Sequence, residues 1–415
     1  MSHKTLRPPR ILSINNYNYR RGGSDAVFID HDLMFSKNNW DTALFSMHHP
    51  KNNISPWSKY FVNELEFGNS YDIYQKIVMS SKVVYSMEAR NKLNQLLNTF
   101  QPDIAHLHCI YHHISPSVLS LLQRNGVPCV MTAHDLKLAC PAYKMLNDVG
   151  ICEKCKNGNL FHVIKNRCLH NSLTVSSLVA IESSIHKLFR IYKKHLDIVV
   201  TPSKFFLNKL IEWGWSSSKL KYIPNFIDTT NITPNYDAGS YFLYFGRLAP
   251  EKGVDTLIKA GINSNVRLII AGTGPFESNL KSLATDNKNI SFVGYKSGKD
   301  LWDLILNSRA VVLPSEWYEN APISILEAYA AGKPVIGANI GGIPEMLQDE
   351  VTGLIFESGD SNDLSEKLSK LQSMPDHEVS SFGTNAREFV INNFSPERYL
   401  NSMLELYRSL GVNTK

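Results

Sequence analysis

The feature that most limits how this 415-residue chain can fold is a double run of short, continuous apolar segments alternating with helical stretches. In the first run Arg10–Asn15, Thr42–Ser46, Ile104–His108, Cys129–His134 and Ile198–Pro202 read as strands, with helical patterns at Asp25–Lys37, Val83–Phe100 and Leu173–His195 among them. Strands this short and this uniformly apolar belong inside a parallel sheet covered on both faces. The alternation then restarts with Tyr241–Gly246, Val266–Gly272, Ile290–Gly294, Ala310–Pro314, Pro334–Ala338 and Gly353–Glu357. Between the runs, Lys221–Ser240 is polar and turn-rich and reads as a linker. A chain of this length exceeds what one core fills, so two α/β domains are expected, residues 1–225 and 226–394. A last helical segment, Ser395–Leu410, lies within the remaining 395–415. There is no short-period repeat of the kind that builds a solenoid.

Composition narrows the classes further. The 43% hydrophobic and 20% charged fractions are those of an ordinary globular protein, and no apolar run approaches the roughly 18 residues that span a bilayer. Met1–Arg10 carries Lys4, Arg7 and two prolines and lacks the apolar core of a signal peptide, so the cytoplasm is the expected address. The net charge of +5 is uneven: residues 1–200 hold 23 Lys and Arg against 14 Asp and Glu, the remainder 20 against 24. A basic first half suits peripheral docking on anionic lipid or an anionic acceptor, and equally a plain solvated surface. No basic run is interleaved with aromatics, so nucleic acid is not an expected partner.

Four groups of residues carry chemistry. Gly246-Arg-Leu-Ala-Pro-Glu-Lys-Gly253 sits where the first strand of the second domain meets its helix. Gly246 permits close backbone approach there, and Arg247 and Lys252 supply a planar fork and a point charge suited to a diphosphate. Glu319 and Glu327 follow the strand Ala310–Leu313, the first in a loop and the second inside a helix that Pro322 is placed to start. With Pro322 as first helical residue, Glu327 lies about 7 Å along the axis, so each carboxylate can serve one end of an elongated hydroxyl-rich ligand. In the first domain, Gly22-Gly23 forms a turn after the opening strand, and His134 ends another strand, on the edge where open α/β sheets bind ligands. Asp30-His-Asp32 has an Asp-x-Asp metal spacing but falls within a helical pattern far from the other motifs, and is not assigned a metal.

Taken in order, Gly-Arg-Leu-x-x-Glu-Lys-Gly, Glu319-x7-Glu327 and Gly341-Gly-Ile-Pro-Glu345, with Gly22-Gly23 and Thr132-Ala-His134-Asp135 before them, resemble the retaining nucleotide-sugar glycosyltransferases of family four. Bacterial surface-polysaccharide transferases are similar. The resemblance implies the GT-B fold, two Rossmann-like domains facing each other across a cleft, with the final helix crossing back to the first. It implies that Arg247 and Lys252 hold the diphosphate of a nucleoside diphosphate sugar and that Glu327 accepts hydrogen bonds from the ribose. Glu319 then meets the transferred sugar with the backbone of Asn320, Ala321 and Pro322 beside it, Gly22 and Gly23 approach the phosphates from the opposite wall, and His134 contacts the sugar. Asp135 either orients His134 or caps the next segment. Retention through front-face attack on a hydroxyl of a glycan or lipid-linked acceptor follows from the same resemblance, with no metal needed to stabilise the leaving group. A double-displacement glycosidase would need its two carboxyls about 5 Å apart, which the different settings of Glu319 and Glu327 argue against. A phosphorylase of similar fold and a non-catalytic nucleotide or glycan binder are the rival classes.

The cysteines divide into two sets. Cys109 and Cys129 lie in strand-like apolar runs and read as buried thiols. Cys140, Cys152, Cys155 and Cys168 lie in a loop-rich insertion, Leu136–Ser172, directly after the His134 strand. Their spacing suits a four-thiolate structural zinc site, with His162 and His170 as reserve ligands, and equally unligated thiols.

Overall fold

The computed structural model describes residues 7–64, 73–285 and 287–414. Most of the amino-terminal stretch read for a signal sequence lies outside them. Two six-stranded sheets carry the fold, and every pairing within them is parallel. The first contains β1 (Arg10–Ile14), β2 (Asp41–Phe45), β3 (Ile104–Leu107), β4 (Cys129–Thr132), β5 (Ile198–Thr201) and β6 (Leu220–Tyr222), in the order β2-β1-β3-β4-β5-β6. The second contains β7 (Phe242–Phe245), β8 (Leu268–Ala271), β9 (Ile290–Gly294), β10 (Ala310–Leu313), β11 (Val335–Ala338) and β12 (Gly353–Phe356), in the order β9-β8-β7-β10-β11-β12. β3, β4, β8, β10 and β11 are buried along their whole length, which is why they read as unbroken apolar runs rather than as an alternation.

The strand order fixes where a ligand can sit. β1 pairs with β2 on one side and β3 on the other, and β7 likewise divides β8 from β10. At each such reversal the connecting segments leave toward opposite faces, opening a crevice at the carboxyl ends of the strands. The first crevice is bordered by the turn after β1 and the second by the loops after β7 and β10. These are the segments that hold Gly22-Gly23, Gly246–Gly253 and Glu319.

The last helix, Pro396–Ser409, starts on a proline, and Ser395 Oγ accepts from Arg398 N at 3.4 Å. Tyr399, Met403, Leu406 and Tyr407 recur on one face, which packs on Ile11, Phe35, Trp40, Ile104 and Val130 of the first domain. The chain thus returns to its beginning.

Three local readings need correction. The stretch Val83–Phe100 is the end of one helix, Ile73–Val84, and a second, Met87–Phe100, whose amide at Ala89 is capped by Ser86 Oγ at 3.1 Å. Leu173–His195 breaks between Leu173–Leu188 and Ile191–His195, where Arg190 takes a left-handed φ of 51°. The assigned linker also begins too early, because Leu220–Tyr222 pairs with β5 as an edge strand. Three residues followed by Ile-Pro-Asn give too little pattern to separate strand from turn. Among the described residues no helix is long and apolar enough to cross a membrane.

Candidate active site

The donor-side loop is built around a glycine. Gly246 follows β7 with its N–H on Ala271 O at 3.0 Å, and Pro250–Lys252 forms one tight turn before the helix Val254–Ser264. Gly253 starts that helix at φ 62°, and a Cβ there would fall 1.9 Å from Pro314 O, so only glycine lets the loop lie against the end of β10. This close approach brings Lys252 to Glu319: Nζ donates to Oε1 at 2.6 Å. Arg247 donates to Glu251, which is almost fully buried.

Glu319 and Glu327 are held in contrasting ways. Glu319 is buried and accepts from Lys252 and from Ser315 Oγ at 2.8 Å. Burial alone would raise its pKa, but the Lys252 ammonium and these hydrogen bonds hold it below the ordinary carboxylate range. Glu327 is the fifth residue of the helix Ile323–Ala330 and is half-buried. Burial pushes its pKa up to about 7, opposed by the charge of Arg20 from across the cleft. Among the described residues no side-chain hydrogen bond to Glu327 is made. Pro322 precedes the helix rather than opening it, because its ψ of 121° is extended.

The loop between the two acids reaches the first domain. Asn320 Nδ2 donates to Ala133 O at 2.8 Å, Ser203 Oγ donates to Asn320 Oδ1 at 2.8 Å, and Asn225 Nδ2 donates to Ala321 O at 3.0 Å. His134 is therefore fixed by its neighbour Ala133 against the loop that carries Glu319. Its Nε2 shares a hydrogen bond with His108 Nδ1 at 2.8 Å, and burial lowers its pKa to about 4, so the ring is neutral. Asp135 accepts from Lys137 N at 2.9 Å, the capping role of the two considered. On the facing wall Gly22 and Gly23 begin the helix Gly23–Lys37, whose first turn has no side-chain cap. A Cβ on Gly23 would touch Ile323, so that helix end points across the cleft at the segment holding both acids. Asp30 pairs with Arg20, and Asp32 accepts from Ser13 Oγ at 2.9 Å, so the two carboxylates serve separate partners.

A family model described as Glycosyltransferase Family 4 matches residues 66–231, and one described as Glycosyl transferases group 1 matches 228–389. The two adjoin and together take in most of both sheets. Both domains therefore match glycosyl transferase families. A Corynebacterium glutamicum protein named GDP-mannose-dependent monoacylated alpha-(1-6)-phosphatidylinositol monomannoside mannosyltransferase is 29% identical over 43% of this chain and 54% of its own length. The chain thus spans about half of that relative. An uncharacterized 42.6 kDa protein of the cps region of Klebsiella pneumoniae is 26% identical over 81% of this chain and 87% of its own. The solved sucrose-phosphate synthase of Thermosynechococcus elongatus superposes with a TM-score of 0.71 at 18% identity, covering 97% of this chain and 99% of that one. The fold is GT-B.

Two features of this site lay beyond sequence reasoning. The first is a buried set of histidines under the site. His106 Nδ1 shares a hydrogen bond with Tyr407 OH at 2.5 Å and its Nε2 with Thr132 Oγ1 at 2.8 Å, while His31 Nδ1 meets Tyr399 OH at 2.9 Å. The rings of His106 and His108 stack at 4.9 Å and those of His108 and His134 at 5.1 Å. The i, i+2 spacing of His106 in β3 and His108 just past its end was the available signal. The second is Glu345, whose two oxygens accept from Lys204 N at 2.7 Å and Phe205 N at 2.5 Å, joining the second domain to the first turn of a first-domain helix.

Cys155 lies within electrostatic reach of Cys140, Cys168 and Cys152. Among the described residues, however, no group of three or more His, Cys, Asp or Glu is arranged to hold a metal ion, so the zinc reading meets no formed site. Burial raises the thiols, Cys155 to about 12 and Cys168 to about 11. Cys129 is buried within β4, whereas Cys109 lies just past β3 and is half-buried.

Proposed function

We propose that this chain transfers a sugar, with retention of anomeric configuration, from a nucleoside diphosphate sugar to a hydroxyl of a glycan or lipid-linked acceptor in surface-polysaccharide synthesis. The observation that carries this reading is the placement of Arg247, Lys252, Glu319 and Glu327 at one strand-end crevice, facing the uncapped helix at Gly22-Gly23. Cations and free helix amides suit a diphosphate, and a carboxylate suits a ribose. The GDP-mannose dependence named for the Corynebacterium relative and the cps origin of the Klebsiella one support the substrate class.

In the free protein each donor-side cation already holds a carboxylate. A diphosphate would take over Lys252 and Arg247, and the amides opposite would bear part of the charge that builds as the leaving group departs. Glu319, released from Lys252 or still shared with it, then faces the sugar as an anion and offsets positive charge at the anomeric carbon. His134 is neutral and offers hydrogen bonding rather than charge. The acceptor would enter from the first domain, whose basic surplus also suits peripheral docking on an anionic membrane face.

A thermal-shift screen of nucleotide sugars tests the reading, because a ligand of the native state raises apparent stability by RT ln(1 + [L]/Kd). Glu327→Ala and Lys252→Ala should keep the fold and lose the shift. Wild-type-like turnover in both would sink the assignment. Phosphate-dependent breakdown of a glycan would favour a phosphorylase, and donor binding without any turnover a silent binder.

A further inference from the structure

The insertion after β4 sends one side chain across the cleft. Tyr143 N donates to Cys140 O at 2.9 Å, closing a turn, and Cys152 N donates to Met145 O at 2.8 Å at the base of the hairpin Leu146–Asn147 and Gly150–Ile151. Between them Lys144 stands at a sharp bend, flanked by two non-glycine residues in left-handed conformation, Tyr143 at φ 56° and Met145 at φ 47°. Such conformations persist only where the surroundings hold them, and they gather at functional sites. Here Met145 is fully buried, Tyr143 O accepts from Leu136 N at 3.2 Å, and the amides of Ala142 and Met145 bond the Cys140 sulfur.

The bend aims Lys144 at the second domain. Its Nζ donates at 3.0 Å to Glu251 Oε1, the same buried oxygen that Arg247 uses. One carboxylate thus meets two cations, one from each domain, and a unit of positive charge is left over beside the loop that starts at Gly246. Lys144 is 28% exposed and Arg247 53%, so both remain accessible to an anion. Tyr143 next to it feels the charges of Asp135 and Arg21 from the first domain and of Arg247 and Glu251 from the second.

We propose that Lys144 is a third cation of the diphosphate site, supplied across the cleft by the insertion. The proposal rests on the reading of Arg247 and Lys252 as that site. A purely structural tie between domains would hold Glu251 and ignore the ligand.

Isothermal titration of the full chain with UDP, GDP, UMP and GMP separates these. Lys144→Gln should weaken whichever diphosphate binds by about tenfold, as expected for one charge-assisted hydrogen bond, and leave the matching monophosphate within about twofold. Lys144→Arg should recover most of the loss. Equal weakening of mono- and diphosphate, or none, would overturn the proposal. Arg247→Ala and Lys252→Ala serve as the reference: if they lose diphosphate affinity and Lys144→Gln does not, Lys144 alone is misassigned. If neither they nor Lys144→Gln change it, or the wild type binds no nucleotide, the donor-site reading itself falls.

Discussion

Glu327 should set the pH dependence of donor binding. Burial raises its pKa to about 7, so below that pH it is a neutral acid and above it a carboxylate able to accept from two ribose hydroxyls. Nucleotide affinity should therefore rise between about pH 6 and pH 8, and Glu327→Gln should flatten the rise. Stability runs the other way. A carboxyl raised in the folded state contributes fully below its unfolded pKa and loses that contribution as pH climbs through the folded value. Glu327→Gln should accordingly melt higher than wild type at pH 8 and alike at pH 4, and a constant difference across that range would refute the assignment. Glu319 is held below the ordinary range, so its pairing with Lys252 is lost only in acid. At the same scale, a Cβ on Gly342 would fall 1.9 Å from Asn320 O, and Gly342 N donates to Glu319 O at 2.8 Å. Gly342→Ala should cost about 1–3 kcal/mol as an overpacking change and displace Glu319, so urea midpoint and turnover should fall together. The acids were legible in the sequence because loop and helix settings show in local pattern. The reason for Gly342 was not, since its contact lies over twenty residues away.

At the scale of elements, the crossing helix is fastened by polar groups inside an apolar face. Tyr407 OH bridges His106 Nδ1 at 2.5 Å and His31 Nε2 at 3.2 Å, both fully buried. Tyr407→Phe removes the hydroxyl and strands two imidazole nitrogens, so unfolding free energy should drop by about 1–3 kcal/mol, and an unchanged urea midpoint would show that the network adds nothing. Strands were readable as short continuous apolar runs and helices from their period, and the last helix from its proline start and one apolar face. What escaped was set by distant partners: β6 is recognisable only beside β5, and the break at Arg190 only from its left-handed backbone. The four thiols mark where spacing alone stops deciding. Their spacing suits a metal or unligated thiols alike, and among the described residues no group of three or more ligands is arranged for a metal ion.

For the whole molecule the question is what holds two domains in register while leaving them free to exchange a ligand. Among the described residues the polar ties across the cleft include Asn320 to Ala133 and Ser203, Asn225 to Ala321, Lys144 to Glu251, Tyr318 OH to Glu153 at 3.1 Å, and Glu345 to the helix Lys204–Glu212. Polar interfaces of this kind favour relative motion, because water can replace each bond on opening. Glu345 is the tie with the largest expected weight. A carboxylate at a helix start takes two charge-assisted hydrogen bonds and the favourable end of the helix dipole, together about 1.5–3 kcal/mol. Glu345→Ala should shift the balance toward separated domains by roughly tenfold or more, since 1.4 kcal/mol is one decade. It touches none of the proposed donor groups, so its effect on ligand must come through that balance. Small-angle scattering should show a larger radius of gyration for Glu345→Ala without ligand, and saturating nucleotide should restore the wild-type value. Apparent affinity should fall by the same factor as the closed population. A variant that binds nucleotide less well with no change in scattering would place Glu345 in the binding site itself and remove it as a closure tie.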